Sequence, residues 1–457
     1  MDLIETIVDY VLTTNYRNLG EQTIDMVKKV VIDNMGAAVA GSSGEGIGNL
    51  VNLVKDWNGK PEATVLVYGD KVPAFQAALV NCAMARAWDI DDVHEGGGGH
   101  ICASLVPTAF ILAEYAQAKV SGKDFISVIA IATDLSCRLR KALKTQFGWV
   151  LSTFAPFGVV AEASRILGFD RDQTLAAMGL AYTQCSCNSQ GVVDGALSVR
   201  LQQGIGAKAG VLATQFAQIG FTGPKNILQG VYGLYPLYGR NDYDADVITR
   251  DLGKSFEVVN TSLKPYPCCK HTHIPIFIIM ELLREHNIAP TEIGKIVVRT
   301  NQAAYDKCFS NPAKRRPRSV VDAQFSIPFT VALAAVKRRV SLHDFTEKNW
   351  TDQLILDIAG RVEVQVDPDL NKVPGLIAPN IIELETKEGK HFEKHLDFVK
   401  GSPQNPMSNE ECIDKFQDCI AFAAKPLEKV KVNEFVRMAR NLEDVPDVRS
   451  MIELLVA

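Results

Sequence analysis

Nothing in this chain of 457 residues offers the roughly 20 uncharged apolar residues in a row that a membrane-spanning helix needs. It has no excess of positive charge: 48 Lys and Arg against 53 Asp and Glu leave a formal charge of −5. That balance argues against nucleic acid or an anionic membrane as the main partner. The opening residues, MDLIETIVDYVLTTNYRNLG, lack the basic start and apolar stretch of a signal peptide, so a cytoplasmic location is expected. Without secretory features, the ten cysteines are expected as reduced thiols rather than a disulfide framework. Neither DIDDVHEGGGGHICAS (89–104) nor CCKHTH (268–273) has the C-x2-C or H-x3-H pair of a closed zinc site or an HExxH, and no internal repeat or low-complexity segment is visible.

What is present is a soluble globular composition, 47% hydrophobic and 22% charged, long enough for two domains. From Glu21 to Ala40 the apolar residues Ile24, Val27, Val30, Val31 and Met35 follow helical spacing and stop at Gly41-Ser-Ser-Gly. Ala-rich or apolar runs at 72–88, 107–120, 125–143, 158–167, 174–182 and 206–219 predict further helices, the first buried on most sides. The texture changes after Pro265. IGKIVVRTN (293–301) and RVEVQVDPD (361–369) alternate like strands, and 380–397 predicts a hairpin turning at Glu388-Gly389. Helices are expected between them at 275–286 and 323–338, and KRRPRS (314–319) is expected as a solvated loop. The fold class is therefore mainly α. A large helical domain comes from both chain ends, 1–265 and 401–457, and a smaller α+β domain spans 266–400.

Three stretches carry chemistry. DIDDVHEGGGGHICAS (89–104) sets Asp89, Asp91, Asp92, Glu95, His94 and His100 around four consecutive glycines. A phosphate cradle needs ordered glycines and a following lysine, and carboxylates repel phosphate. A metal cage from Asp89, Asp92, His94 and His100 lacks ligand spacing, as does CCKHTH (268–273), where Lys270 is a poor neighbour for a cation. Acid/base work fits better: a tight loop brings His100 back toward Asp89, which orients it. The competing reading makes both histidines satisfy helix ends and the glycines a surface loop, and these residues alone leave the two open.

SLKPYPCCKHTHIP (262–275) places Lys264, Lys270, His271 and His273 where the texture changes, a positive wall suited to a carboxylate substrate. An ordinary linker is the plainer alternative. In QCSCNSQGVVDGALSVRLQQGIGAKAG (184–210), Arg200 is the anion ligand expected, with Gln202, Asn188 and Ser189 as donors and a helix start near Gly204 adding its dipole. Cys185 and Cys187 are expected as small buried residues rather than nucleophiles.

Taken in order, VVIDNMGAAVAGS (30–42), EATVLVYGDKVPAFQAALVNCAMARAWDIDD (62–92), GFTGPKNILQGVYGLY (220–235), LKPYPCCKHTH and DAQFSIPF (322–329) resemble the MmgE/PrpD family, which includes 2-methylcitrate dehydratase, cis-aconitate decarboxylase and iminodisuccinate epimerase. His100 followed by Pro107 keeps the offset of that family's His-Pro-Ser motif. The resemblance implies a helical domain with an α+β lid, a homodimer, a site between the domains, and no metal or other cofactor. It carries the site Asp onto Asp89, the loop His onto His100 and the lid His onto His273, with Lys264 and Lys270 nearby. Asp92, His94, His271, Arg200 and Gln202 are expected to help hold a small carboxylate.

The chain also departs from the family. Val93 stands for a Thr, Ser152 for a His, Val199 for a Lys and Gln202 for a His, and the glycine run carries one extra residue. The expected function is a metal-independent lyase or isomerase moving a proton at the carbon next to a carboxylate of a small di- or tricarboxylate: a dehydratase, an epimerase or a decarboxylase. The alternative is a non-catalytic carboxylate-binding relative.

Overall fold

A computed structural model describes residues 2–457 apart from Gln117, Gln146, Pro374 and Leu376. The chain forms two compact units. One holds residues up to Ser189, Ser198–Thr261 and Ser408–Ala457; the other holds Gln190–Leu197 and Ser262–Met407.

In the first unit the helices are α1 (Leu3–Thr13), α2 (Glu21–Gly41), α3 (Ile47–Trp57), α4 (Ala74–Arg86), α5 (Cys102–Ala116), α6 (Gly122–Lys141), α7 (Ala155–Ile166) and α8 (Arg171–Tyr182). After the short α9 (Gln190–Val193) of the second unit, α10 (Ser198–Gln218) returns to the first. Small residues set the packing. A Cβ on Gly41 of α2 would lie 1.7 Å from the Met84 carbonyl oxygen, and one on Gly204 of α10 would lie 2.1 Å from that of Leu79. The Ala-rich α4 is thus gripped closely from both sides, and every residue from Gln76 to Arg86 is buried. Val27, Val30, Val31 and Met35 of α2 are fully buried, each such side chain contributing about 1.5–3 kcal/mol. No helix among the described residues is long and apolar enough to cross a membrane.

The expected start of the 206–219 helix is too late. α10 begins at Ser198, so Gly204 lies in its interior, supplies no helix terminus, and is a glycine because of Leu79.

The second unit holds a four-stranded sheet in the order Val362–Val366, Ile293–Thr300, Asn380–Thr386, His391–Leu396. The first pair is parallel and the other two are antiparallel. Gly389, at φ 81, makes the hairpin turn. The expected helix at 323–338 is two, Val320–Gln324 and Ile327–Lys337, because Ser326 accepts from the Phe329 N–H and caps a new start.

This unit begins at Ser262 because the Leu263 N–H donates to the Gly401 carbonyl at 2.9 Å. Its excursion Gln190–Leu197 is tied in where Lys314 Nζ meets the Val192 carbonyl at 3.3 Å and Asn311 Nδ2 meets that of Val193 at 3.1 Å. Lys314 itself, expected in a solvated run, is 1% exposed and paired with Asp322 at 2.8 Å.

Candidate active site

The four glycines build a knot. The His94 N–H donates to the Gly99 carbonyl at 2.7 Å, and the Gly98 N–H, with Gly98 at φ 71, donates back to the His94 carbonyl at 2.8 Å. The Gly97 N–H donates to His94 Nδ1 at 2.7 Å. A Cβ on Gly97 would fall 2.9 Å from that nitrogen, and one on Gly99 would fall 2.5 Å from Leu151 Cβ. Side chains have no room at Gly97 or Gly99.

Since Nδ1 of His94 accepts, Nε2 carries its proton and donates to Glu257 Oε2 at 3.0 Å, while Lys141 Nζ meets Glu257 Oε1 at 2.6 Å. Burial opposes ionisation of Glu257, yet the hydrogen bonds from His94 and Lys141 outweigh it and hold that carboxyl far below its usual range. His94, expected as a substrate ligand, therefore has both ring nitrogens occupied in anchoring the loop.

The loop delivers His100. Its Nδ1 lies 2.6 Å from the Asp92 carbonyl oxygen and 3.1 Å from Asp91 Oδ2, and its side chain is 18% exposed. A carbonyl oxygen can only accept, so Nδ1 carries the proton and Nε2 presents the lone pair. Asp91 Oδ1 in turn lies 3.1 Å from Arg86 Nη1, at the end of α4. Asp91 is thus a carboxylate within 3.1 Å of His100, and one ligand atom each of Asp89, Asp91 and His100 lie within 4.8 Å of one another. Asp89 turns the chain at φ 53 and pairs with Arg86, three residues earlier. The signal for Asp91 was in the quoted stretch, but spacing alone could not choose among three aspartates. Arg86 was missed altogether; its place three residues before Asp89, at a helix end, was the only hint.

Asp92, expected to touch substrate, is fully buried and accepts the Cys102 N–H at 3.3 Å, which starts α5. Its Oδ1 has no hydrogen-bond partner among the described residues. Burial, then the charges of Asp91 and Asp33, push its carboxyl up to about 7. Asp89, Asp91 and His100 bring one ligand atom each within 4.8 Å of one another, enough to consider a metal ion. The Arg86 guanidinium already bonds both carboxylates, and a cation would share them with it.

Arg200 is 3% exposed; its Nη1 donates to the Glu45 carbonyl at 2.9 Å and its guanidinium lies 5.8 Å over the Trp88 ring. Burial pushes it down to about 10. Its Nη2 has no hydrogen-bond partner among the described residues, so one donor is left for an anion. Gln202 is spent in part on the Asn188 carbonyl, at 2.8 Å.

In the second unit Lys264, Lys270, His271 and His273 are all buried. His273 opens the helix His273–Glu285, and its Nε2 donates to the Cys268 carbonyl at 3.0 Å, leaving the lone pair at Nδ1. Lys270 Nζ meets Ser402 Oγ at 3.2 Å. Gln324 of DAQFSIPF braces this stretch, accepting the Cys269 N–H at 2.9 Å and donating to the Pro267 carbonyl at 3.1 Å. Burial, then the positive charge of Lys307, push His271 down to about 3. It is neutral at ordinary pH and brings no charge to a carboxylate.

In the first unit, His100 thus has its Nδ1 on a backbone carbonyl and a buried carboxylate 3.1 Å away, on a helical scaffold. The chain belongs to the MmgE/PrpD family: residues 5–245 match the MmgE/PrpD N-terminal domain and 266–443 the C-terminal domain. It is similar to a cis-aconitate decarboxylase of Aspergillus terreus, 23% identical over 96% of this chain and 92% of that one. It is also similar to a cis-aconitate decarboxylase-like protein of Aspergillus oryzae, 21% identical over 94% and 92%.

Proposed function

We propose that this protein is a lyase or isomerase that moves a proton at the carbon next to a carboxylate of a small di- or tricarboxylate, without a metal. The observation that carries this is the orientation of His100, whose Nδ1 proton is held by the Asp92 carbonyl, with the Asp91 carboxylate 3.1 Å from the same nitrogen. In the reaction Nε2 takes the α-proton, the imidazolium is stabilised by Asp91, and the electron pair left on carbon spreads into the adjoining carboxylate. Such a carbanion needs fixed positive charge; Lys264, Lys270 and Arg200 are assigned that task. His273 is assigned as the second acid/base group, either returning a proton to carbon or protonating a leaving hydroxyl. The similarity to proteins named for cis-aconitate, a tricarboxylate, supports the substrate class. Arg86 on Asp89 and Asp91 supports the metal-free reading. A homodimer is part of the same reading.

The test is incubation with a panel of di- and tricarboxylates in deuterated buffer, followed by mass spectrometry. Deuterium should enter the α-position of at least one. Measured binding with no incorporation into any compound would instead favour a carboxylate-binding relative without catalysis, the reading suggested by Val93, Ser152, Val199 and Gln202.

A further inference from the structure

α10 is apolar on the side that faces solvent. Leu201, Ile205, Leu212 and Phe216 share one stripe of it. Ile219, just past its end, continues the stripe, because its N–H still donates to the Gln215 carbonyl at 3.3 Å. Between Ile205 and Ile219 the only charge is Lys208, whose Nζ lies 5.8 Å over the ring of Trp57 on α3. Leu50, Leu53 and Trp57 of α3 line an open groove of about 460 Å³ with Leu201, Ile205 and Leu212. The helix Lys429–Arg440 shows the ordinary pattern instead, with Asn433, Arg437 and Arg440 exposed.

Phe221 joins this face by packing on Phe216, ring centroids 6.0 Å apart. Leu53, Trp57, Ile205, Phe216, Ile219 and Phe221 are 38–72% exposed. At roughly 150–250 Å² for a large apolar side chain, they leave on the order of 500 Å² of apolar surface in water. That is near the upper end of what one patch of a monomer exposes, roughly 300–600 Å². It also matches the apolar share, about 65%, of the roughly 800 Å² that each partner gives to a standard interface.

The stripe is its own complement. Ile205 and Ile219 lie seven residues either side of Leu212, and Lys208 and Phe216 lie four. An antiparallel second copy crossing at Leu212 therefore sets Ile205 opposite Ile219, Leu212 opposite itself and Lys208 opposite the Phe216 ring. Apolar meets apolar, and the one cation meets an aromatic face. The same register brings Ile219 and Phe221 of the other copy to the groove that Ile205 lines. We propose that this face of α3 and α10 is the surface through which two copies of the chain pair, about a twofold axis at Leu212. The inference rests on the homodimer in the reading above and names its interface.

The test is sedimentation velocity of the whole protein and three variants at matched concentrations. The wild type should sediment as a dimer, and Leu212→Arg, which sets two like charges on the axis, as a monomer. Ile219→Glu alters a side chain that is 72% exposed, so the fold does not depend on it. It should weaken the dimer at least about 30-fold, the effect of one hot-spot residue. Val430→Glu, at an apolar residue 79% exposed outside the face, should leave the dimer intact. A wild type that is not dimeric overturns the proposal and the homodimer with it, leaving the face to a different protein. A dimer unmoved by Leu212→Arg or by Ile219→Glu, or weakened as much by Val430→Glu, overturns this surface and leaves the homodimer standing. Deuterium incorporation by the wild type tests the proton-transfer reading separately.

Discussion

Residues 89–104 of the first unit and 262–275 of the second use the same device with opposite polarity. In each, a backbone carbonyl fixes a histidine tautomer. The Asp92 carbonyl holds the Nδ1 proton of His100, and the Cys268 carbonyl holds the Nε2 proton of His273. The two rings therefore present opposite nitrogens as lone pairs. The surroundings differ as much. The first stretch is anionic and leaves His100 partly exposed, while the second buries two lysines and two histidines. Burial disfavours charge of either sign, so it raises Asp92 to about 7 and lowers His271 to about 3. A buried ionisable group is thus no proof of a catalytic one: Asp92 starts a helix and burial disfavours a charge on His271, while the group we propose for proton transfer is the more exposed His100.

The comparison can be broken first at the carboxylates. Asp91→Asn should slow deuterium incorporation by about 10²–10⁴-fold, the usual range for general acid/base catalysis, because Asp91 Oδ2 lies 3.1 Å from His100 Nδ1. Incorporation within about 10-fold of the wild-type rate would contradict the role proposed for Asp91.

The opposite signs of burial give the next effect. His271 has its folded pKa depressed to about 3, so its contribution is present above about pH 6.5 and is lost as pH falls toward 3. Asp92 has its folded pKa raised to about 7, so its contribution is present below about pH 4 and is lost as pH rises through 7. Denaturant unfolding of His271→Gln should show the variant gaining on the wild type in acid, with a ceiling on the order of 4 kcal/mol. Asp92→Asn should gain on the wild type between about pH 4 and 7, with a similar ceiling. Parallel pH curves would contradict the burial argument.

A smaller effect belongs to the loop. Gly99→Ala forces Leu151 aside and should cost about 1–3 kcal/mol of stability in a melting experiment. Gly148→Ala, where a Cβ meets nothing within 4 Å but φ is 81, should act through backbone strain alone.

Much of the helical unit was legible because α4, α5 and α6 are apolar on most faces, and the strands of the second unit because they alternate. The start of α10 was not: SVRLQQ looks polar, yet Val199, Arg200 and Gln203 are buried. Lys314 was hidden in a basic run because its partner Asp322 lies across a turn. Around the glycines the tight loop was legible, and so was the approach of His100 to the aspartates. That Asp91 lies 3.1 Å from His100 Nδ1 was not, because a run of three aspartates interrupted by one residue gives spacing nothing to choose by. That the Gln202 carbonyl meets Cys187 Sγ depends on tertiary packing, which no spacing reveals.

The most direct measurement compares wild type and His100→Gln, side by side, on whichever carboxylate of the panel takes up deuterium fastest, with melting temperatures confirming that both are folded. The account predicts that exchange falls at least about 100-fold in the variant. Exchange persisting within a few-fold of the wild-type rate would contradict it.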